Sequence, residues 1–383
     1  MIEISKRESE LPKSSIARIM RIAEEEKGVI SLGPGEPDFI TPKPVLSYVK
    51  KMLDKTTHYS PTEGREELRE MIAKKLKKEN GIHADTENIV IAAGSQTALF
   101  LALTCTIDAG EEVIVPDPGY FSYASSVDLL NGIPVPLKFA EGECWQINPD
   151  RLKKIIEPGK TKVLIINTPN NPTGAVYSRK ILEEVADIAV DKDLTIFSDE
   201  AYEKFIYGSA KHISIGSFNG MHDRVVTFQS FSKSYAMPGF RIGYACGPYN
   251  LIKAMVKAHV YVSLSAPNIS QIAAEKALKL PAKYVEKMRK EYDKRRKFIV
   301  GRLKEIGMRT VVPEGAFYVF SALPKGNTDD RRFSSELLKK HRVVVVPGSE
   351  FGRCGEGYIR CSYATSMPKI RTAMNRIEKF IKK

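Results

Sequence analysis

VVTFQSFSKSYAMPGFRIGYA, residues 225–245, decides how this chain is read. Val225 to Phe228 form a short apolar run whose β-branched and aromatic content predicts a buried strand. The run breaks into small hydroxyl residues, Ser230 and Ser232 among them, and Lys233 stands between Ser232 and Ser234. Arg241 follows eight residues on, ahead of a second apolar stretch, Ile242 to Cys246. A lysine flanked by serines is ordinarily a solvated loop residue. Here two segments that read as buried enclose it, and burial lowers an ammonium's pKa towards the range where the amine is a nucleophile. An arginine fixed beside hydroxyls suits a phosphate monoester. A reactive amine next to a phosphate seat points to Schiff-base chemistry.

Working outward, strands and helices alternate from about residue 64. REELREMIAKKLKKENG predicts a helix ending at Gly81, NIVIAAG a strand, and SQTALFLALTCTI a helix that starts at that strand's end. EEVIVPDPGY, KVLIINTPNNPTG and LTIFSDEAY each read as strand then turn, with the helix ILEEVADIAVDKD before the last of them. This alternation predicts an α/β fold with a mainly parallel central sheet between helices. Ligands of such sheets sit at the carboxyl ends of the strands. Gly94, Ser95, Tyr120, Asn171, Asp199, Tyr202 and the Ser230 to Lys233 segment all fall at those ends. The last third differs: a long amphipathic helix, short strands in AFYVF, VVVVPG and GYIRCSYA, and a final helix predict a small α+β lobe. The expected division is a large domain over residues 48–283 and a small one made of 1–47 and 284–383. Ser14 to Glu26 reads as a helix, and the segment around it is expected to pack with the small domain.

Composition sets the outer limits. A chain of 383 residues, 43% hydrophobic and 27% charged, is an ordinary globular protein long enough for two lobes. Its formal charge of +13 raises the question of nucleic acid or membrane. The basic residues alternate with Glu and Asp at helical spacing, as in EKMRKEYDKRRK, which is the pattern of solvated helix faces, so neither partner is expected. Five scattered cysteines form no CxxC pair and lie near no histidines at zinc spacing, so neither a metal site nor a disulfide frame is expected. The N-terminus lacks an apolar signal core and no run reaches membrane length, which makes a cytoplasmic location the expectation. Gly33 and Gly35 lack the third glycine and the following helix of a dinucleotide fingerprint, and read instead as a loop that brings backbone to a ligand.

The strand-end residues fit one cofactor, pyridoxal 5'-phosphate (PLP). Asp199 ends an apolar strand, where an unpaired carboxylate is costly; a protonated pyridine nitrogen suits it, and so does an N-cap role. Tyr202 and Asn171 offer donors to the ring oxygen, although Asn171 also reads as a turn residue. Tyr120 suits stacking on the ring or plain packing. Gly94, Ser95 and Gln96 open a helix whose amides suit the phosphate, with Ser230, Ser232 and Arg241 completing the seat.

The segments LGPGEPDF, THYSPTEG, AAGSQTAL, PGYFSY, NTPNNPTG, SDEAY, SFSKSYAMPGFRIG, EGAFYVF and GEGYIRCSYA occur in the order found in class I aminotransferases of PLP fold type I. Over nearly its whole length the chain resembles the prokaryotic and archaeal aspartate/aromatic branch of that family. The resemblance implies a homodimer and covalent attachment of PLP to Lys233. It assigns Asp199 to the pyridine nitrogen and Tyr202 and Asn171 to the ring oxygen. It also implies that Tyr59 contacts the phosphate of the neighbouring subunit, that Arg360 grips the substrate α-carboxylate, and that Gly35 adds backbone to that grip. The expected reaction is ping-pong transfer of an amino group from aspartate or an aromatic amino acid to a 2-oxo acid, with 2-oxoglutarate/glutamate as one pair.

One position departs from the aspartate pattern. Some aspartate enzymes of this branch have lysine in a GGK stretch for the distal carboxylate, where this chain has the neutral Gln96. Arg18 offers a charge from the N-terminal helix, or is a solvated helix residue. Ile16 and Ile19 are expected beside the substrate pocket. Two competing readings share the cofactor. A carbon–sulfur lyase of this fold carries a histidine in SDEIH where this chain has SDEAY, and a PLP-binding regulator needs a DNA-binding domain ahead of motifs that here begin near residue 30.

Overall fold

A computed structural model describes residues 2–11 and 28–382. The expected helix over Ser14 to Glu26, with Ile16, Arg18 and Ile19, lies outside the described residues.

The first strand, β1 (Ile30–Ser31), pairs with the C-terminal lobe. The next seven build one sheet: β2 (Ile89–Ala92), β3 (Glu112–Asp117), β4 (Ile133–Lys138), β5 (Thr161–Asn167), β6 (Thr195–Asp199), β7 (Val225–Ser230) and β8 (Gly243–Cys246). Their order is β2-β8-β7-β6-β5-β3-β4. β8 runs antiparallel to both of its neighbours, and every other adjacent pair is parallel. The interior strands are buried almost end to end, as their unbroken apolar runs predict for a sheet covered on both faces. Helices Ser95–Thr106 and Tyr249–Val262 cover one face through Leu99, Leu103, Ile252 and Met255; helix Arg179–Asp191 covers the other through Leu182, Val185 and Ile188. Each such side chain contributes roughly 1.5–3 kcal/mol by leaving water.

GIPVPLK does not read as a strand, because Pro134 and Pro136 remove ladder donors, yet it forms β4. Its place at the sheet's edge, paired with β3 alone, resolves that conflict.

The chain's last third adds β9 (Tyr318–Ala322), β10 (Val343–Val344), β11 (Val346–Pro347) and β12 (Tyr358–Ser362), with helices Lys283–Glu305, Asp330–His341 and Met367–Ile381. β11, β12 and β9 form an antiparallel sheet over a core that includes Tyr292, Ile299, Phe317, Leu337 and Met374. The run VVVV, expected as one strand, serves two partners. Val343 and Val344 pair in parallel with Ile30 and Ser31, whereas Val346 lies opposite Arg360. The stretch from Ile30 to Leu32 thus docks on the C-terminal lobe. Helix Lys6–Glu10 behaves differently: Arg7 donates to the Leu129 carbonyl at 3.4 Å, against helix Ser122–Leu129 beside the large sheet.

Candidate active site

The carboxyl ends of β5, β6 and β7 face a cavity of about 330 Å³, and β12 and the Gly33 to Glu36 loop close its other side. Gly35, Gly94, Ser95, Gln96, Tyr120, Asn171, Asp199, Tyr202, Ser230, Ser232, Lys233, Arg241 and Arg360 all line it. Of the expected site residues that are described, Tyr59 alone does not: it is 85% exposed on the outer surface.

Beyond β7 the chain makes one helical turn, Phe231–Ser234, whose first amides are capped by Ser230 Oγ accepting from Ser232 N at 3.2 Å. This turn aims Lys233 inward. Its Nζ donates to the Gly35 carbonyl and lies 5.8 Å from the centre of the Tyr202 ring. Burial brings the Lys233 ammonium down to about 8; nearby Glu36 opposes that shift and Arg360 adds to it. Near neutral pH a real fraction of the side chain is therefore free amine.

Asp199 ends β6. Its Oδ2 accepts from the Tyr123 hydroxyl at 2.7 Å and its Oδ1 from Ala201 N at 3.1 Å. Burial raises the carboxyl's pKa, and those two bonds oppose the rise. Asn167, at the end of β5, locks the neighbouring loops by donating to the Asp199 carbonyl and accepting from Asn171 N.

Arg360 projects from β12 between the rings of Tyr318 and Phe351, 4.4 and 4.8 Å from their centres. Nη1 donates to Asn171 Oδ1 at 2.8 Å and Nη2 to the Gly33 carbonyl at 2.6 Å, while the buried Nε has no partner among the described residues. A buried guanidinium with no carboxylate on it is incomplete, and a ligand carboxylate would complete it. Asn171, expected at a ring oxygen, holds this arginine through its side-chain oxygen; its Nδ2 remains for other contacts. Tyr202 bonds Tyr318 hydroxyl to hydroxyl at 2.8 Å. Burial lifts the Tyr120 phenol to about 12, so it stays a neutral donor, and it donates to Gln96 Oε1 at 3.2 Å. Gln96 Nε2 in turn donates to Ser122 Oγ at 2.6 Å.

Gly94 precedes helix Ser95–Thr106 with φ +97, a left-handed setting that favours glycine. A Cβ there would come within 2.8 Å of Arg241 Nη2. Helix amides and guanidinium thus converge on one corner of the cavity, the arrangement that binds a phosphate dianion.

Sequence reasoning missed Tyr123, Tyr318 and Phe351. Tyr123 follows Tyr120 by three residues at the start of a helix, a spacing that puts both on one side; the other two are indistinguishable from core aromatics by sequence. It also missed a buried polar cluster behind β6 and β7. There Lys75 Nζ donates to Glu203, Gln229 and Asn80, and Glu200 accepts from Ser198, Ser214 and Asn80 and pairs with His212. Burial lowers the Lys75 pKa, whereas Glu203 is held below the usual carboxylate range by Lys75 and Lys204 despite its burial. The cluster ties helix Glu66–Lys75 to the strand ends that carry Asp199 and Lys233.

The fold and this geometry have close counterparts. A family model for class I and II aminotransferases matches residues 27–377. The chain is 47% identical over 373 residues to the aspartate aminotransferase of Pyrococcus abyssi, covering 96% of each chain. It is 45% identical to aromatic-amino-acid aminotransferase 2 of Thermococcus litoralis, again over 96% of each. Among solved structures, the aromatic aminotransferase of Pyrococcus horikoshii superposes with a TM-score of 0.91 at 47% identity, covering 96% of this chain and 98% of that one. With a match that takes in the lysine turn, the helix N-terminus and the β12 arginine alike, this chain is an enzyme of the class I and II aminotransferase family.

Proposed function

We propose that this aminotransferase holds PLP in the cavity and exchanges an α-amino group between aspartate or an aromatic amino acid and a 2-oxo acid, 2-oxoglutarate/glutamate being one pair. The observation that carries the proposal is the enclosure of Lys233, partly as free amine, between the Asp199 carboxylate and the Arg360 guanidinium. The donor set fits the cofactor. The Ser95 helix start, Arg241, Ser230 and Ser232 would hold the phosphate; Asp199 would face the ring nitrogen; Tyr202 and the Asn171 amide would reach the ring oxygen; Tyr120 would cover the ring. The names of the Pyrococcus abyssi and Thermococcus litoralis relatives support donors of the aspartate and aromatic classes.

When bound, PLP supplies an electron sink that makes the substrate Cα–H acidic. The protein does the rest. Arg360 would orient the substrate by its α-carboxylate, a planar recognition that lysine cannot copy. Lys233, with a pKa near working pH, would take the proton from Cα and return it, the range in which a general base is most effective. Asp199 would keep a negative charge at the ring nitrogen, and the apolar walls would exclude water. Two half-reactions follow, the first keto acid leaving before the second binds.

The proposal extends to assembly. Tyr59 would reach the phosphate of a second copy in a homodimer, a role supported by its exposure away from its own cavity. A large domain would hold the seven-stranded sheet, which lies within 48–283, and a small one the C-terminal lobe with β1, which pairs with β10. Helix Lys43–Met52 packs on helix Asn268–Leu278, so the junction is drawn just before Lys43 rather than at 47/48.

Borohydride reduction of the PLP-loaded protein, followed by peptide mapping, should put the cofactor on Lys233. A label on another lysine would overturn the assignment, and absence of 2-oxoglutarate-dependent turnover with both aspartate and phenylalanine would overturn the substrate class.

A further inference from the structure

We propose that Tyr123 is a positioning residue for transamination, its phenol fixing the Asp199 carboxylate so that the negative charge stays turned towards the cofactor's ring nitrogen. The inference rests on the reading of Asp199 as the partner of that nitrogen.

Among the described residues Asp199 has two hydrogen-bond donors, one on each oxygen: Ala201 N and the Tyr123 hydroxyl. The backbone amide alone leaves the carboxylate free to rotate about its side-chain torsions. Tyr123 Oη, at 2.7 Å from Oδ2, removes that freedom. The lock works in both directions. Tyr123 is 3% exposed and its hydroxyl has no other hydrogen bond among the described residues, so a turned Asp199 would strand a buried donor. The same ring meets the Tyr120 ring edge-on, with centres 5.5 Å apart and planes at 81°. One side chain therefore braces both the acid and the aromatic wall.

The chemistry favours a phenol at this place. Asp199 is half-buried at the cavity wall, where desolvation pushes its carboxyl towards the neutral form and the nearby charge of Lys233 opposes that push. A lysine or arginine beside it would keep it ionised, but would also satisfy the charge meant for the ring nitrogen. A neutral donor that stays protonated stabilises the carboxylate and leaves its need for a cation unmet. Burial and the Asp199 charge hold the Tyr123 phenol far above its ordinary pKa, so it remains such a donor across the working range. Simple packing of a buried tyrosine against its nearest acceptor would leave the sharing of the ring proton with Asp199 untouched.

The test uses holoenzyme loaded with PLP labelled with ¹⁵N in the ring, and reads by NMR near neutral pH how one proton is shared between that nitrogen and Asp199, since protonated and neutral ring nitrogens differ in shift. Tyr123→Phe keeps the ring and removes only the donor. It should move that sharing towards Asp199 by about tenfold, since the phenol's bond favours the ionised carboxylate over the protonated one. Turnover should fall by about the same factor while the amino donor's KM moves little, and the loss should vanish in an Asp199→Asn background, because the two residues act as one unit. An unchanged ¹⁵N shift, or equal losses in both backgrounds, would overturn the proposal. If Tyr123→Phe does not fold, 3-fluorotyrosine at this position, a stronger donor of nearly the same shape, should move the shared proton further towards the nitrogen; an unchanged ¹⁵N shift overturns it. Asp199→Asn alone separates the two levels. If it leaves the ring nitrogen unaffected, the reading of Asp199 falls and the proposal with it; if it acts while Tyr123→Phe does not, only the proposal falls.

Discussion

Replacing Lys233 by methionine should stabilise the cofactor-free chain while abolishing transamination. In the folded protein the Lys233 ammonium titrates at about 8, against 10.5 for the ordinary side chain, because its surroundings exclude water. Near pH 7 the unfolded chain is fully protonated at this position and the folded one mostly so, and the folded one bears nearly the whole cost of a buried ammonium. The gap of 2.5 (10.5 − 8) makes that cost roughly 3 kcal/mol. As pH rises from about 8 to 10.5 the folded chain sheds the proton first, so the cost declines and is gone above that window. Methionine carries no charge and gives up the bond to the Gly35 carbonyl, a loss of about 1 kcal/mol. The net gain is thus roughly 2 kcal/mol near pH 7 and close to nothing near pH 10. Thermal unfolding of the cofactor-free wild type and Lys233→Met at both pH values measures it. A variant no more stable than wild type near pH 7, or a gain that persists undiminished near pH 10, would refute the argument.

Three further substitutions probe the rest of the cavity. Arg360→Lys loses the two-pronged grip on Asn171 and Gly33 and should raise KM for amino acid and keto acid alike, by about tenfold or more, which steady-state kinetics on both half-reactions would detect. Gly94→Ala puts a methyl group 2.8 Å from Arg241 Nη2 at a left-handed residue; PLP titrated by absorbance should bind at least about tenfold more weakly, with the fold retained by circular dichroism. Gln96→Lys adds a cation where the wild type has only a neutral amide, and should raise kcat/KM for aspartate relative to phenylalanine. A flat ratio would mean that position 96 serves to hold Tyr120 and Ser122 instead of choosing the substrate.

Residues that lie at strand ends are legible in the sequence because the strands themselves are. Asp199, Ser230 and Lys233 each follow an apolar run, and a parallel sheet brings the ends of such runs to one rim whatever their order. The Arg360–Asn171 bond joins positions 189 residues apart, and nothing local in YIRCSYA says which loop it meets; its role came from family resemblance, not from periodicity. β4 stayed hidden because two prolines argue against a strand until its edge position is known. The reversed direction of β8 stayed hidden because apolar runs carry no sign of orientation. Tyr123 and Tyr318 went unnoticed because an aromatic at helical or strand spacing looks the same whether its hydroxyl meets a carboxylate or merely packs. The Lys75 cluster reads in sequence as solvated charge, since its members come from four separate segments.

That cluster changes its standing with heat. Near room temperature a buried group of ions gains about as much from mutual attraction as it loses in hydration, so apolar side chains of the same size would serve as well. Hydration of ions carries a strongly negative entropy and grows less favourable on warming, while stabilisation per unit of apolar area levels off. The link from Lys75 to Glu203 therefore strengthens, relative to the hydrophobic layers around it, as the temperature climbs. The strand ends bearing Asp199 and Lys233 consequently rely more on this ion pair, and relatively less on the apolar layers, in hot solution.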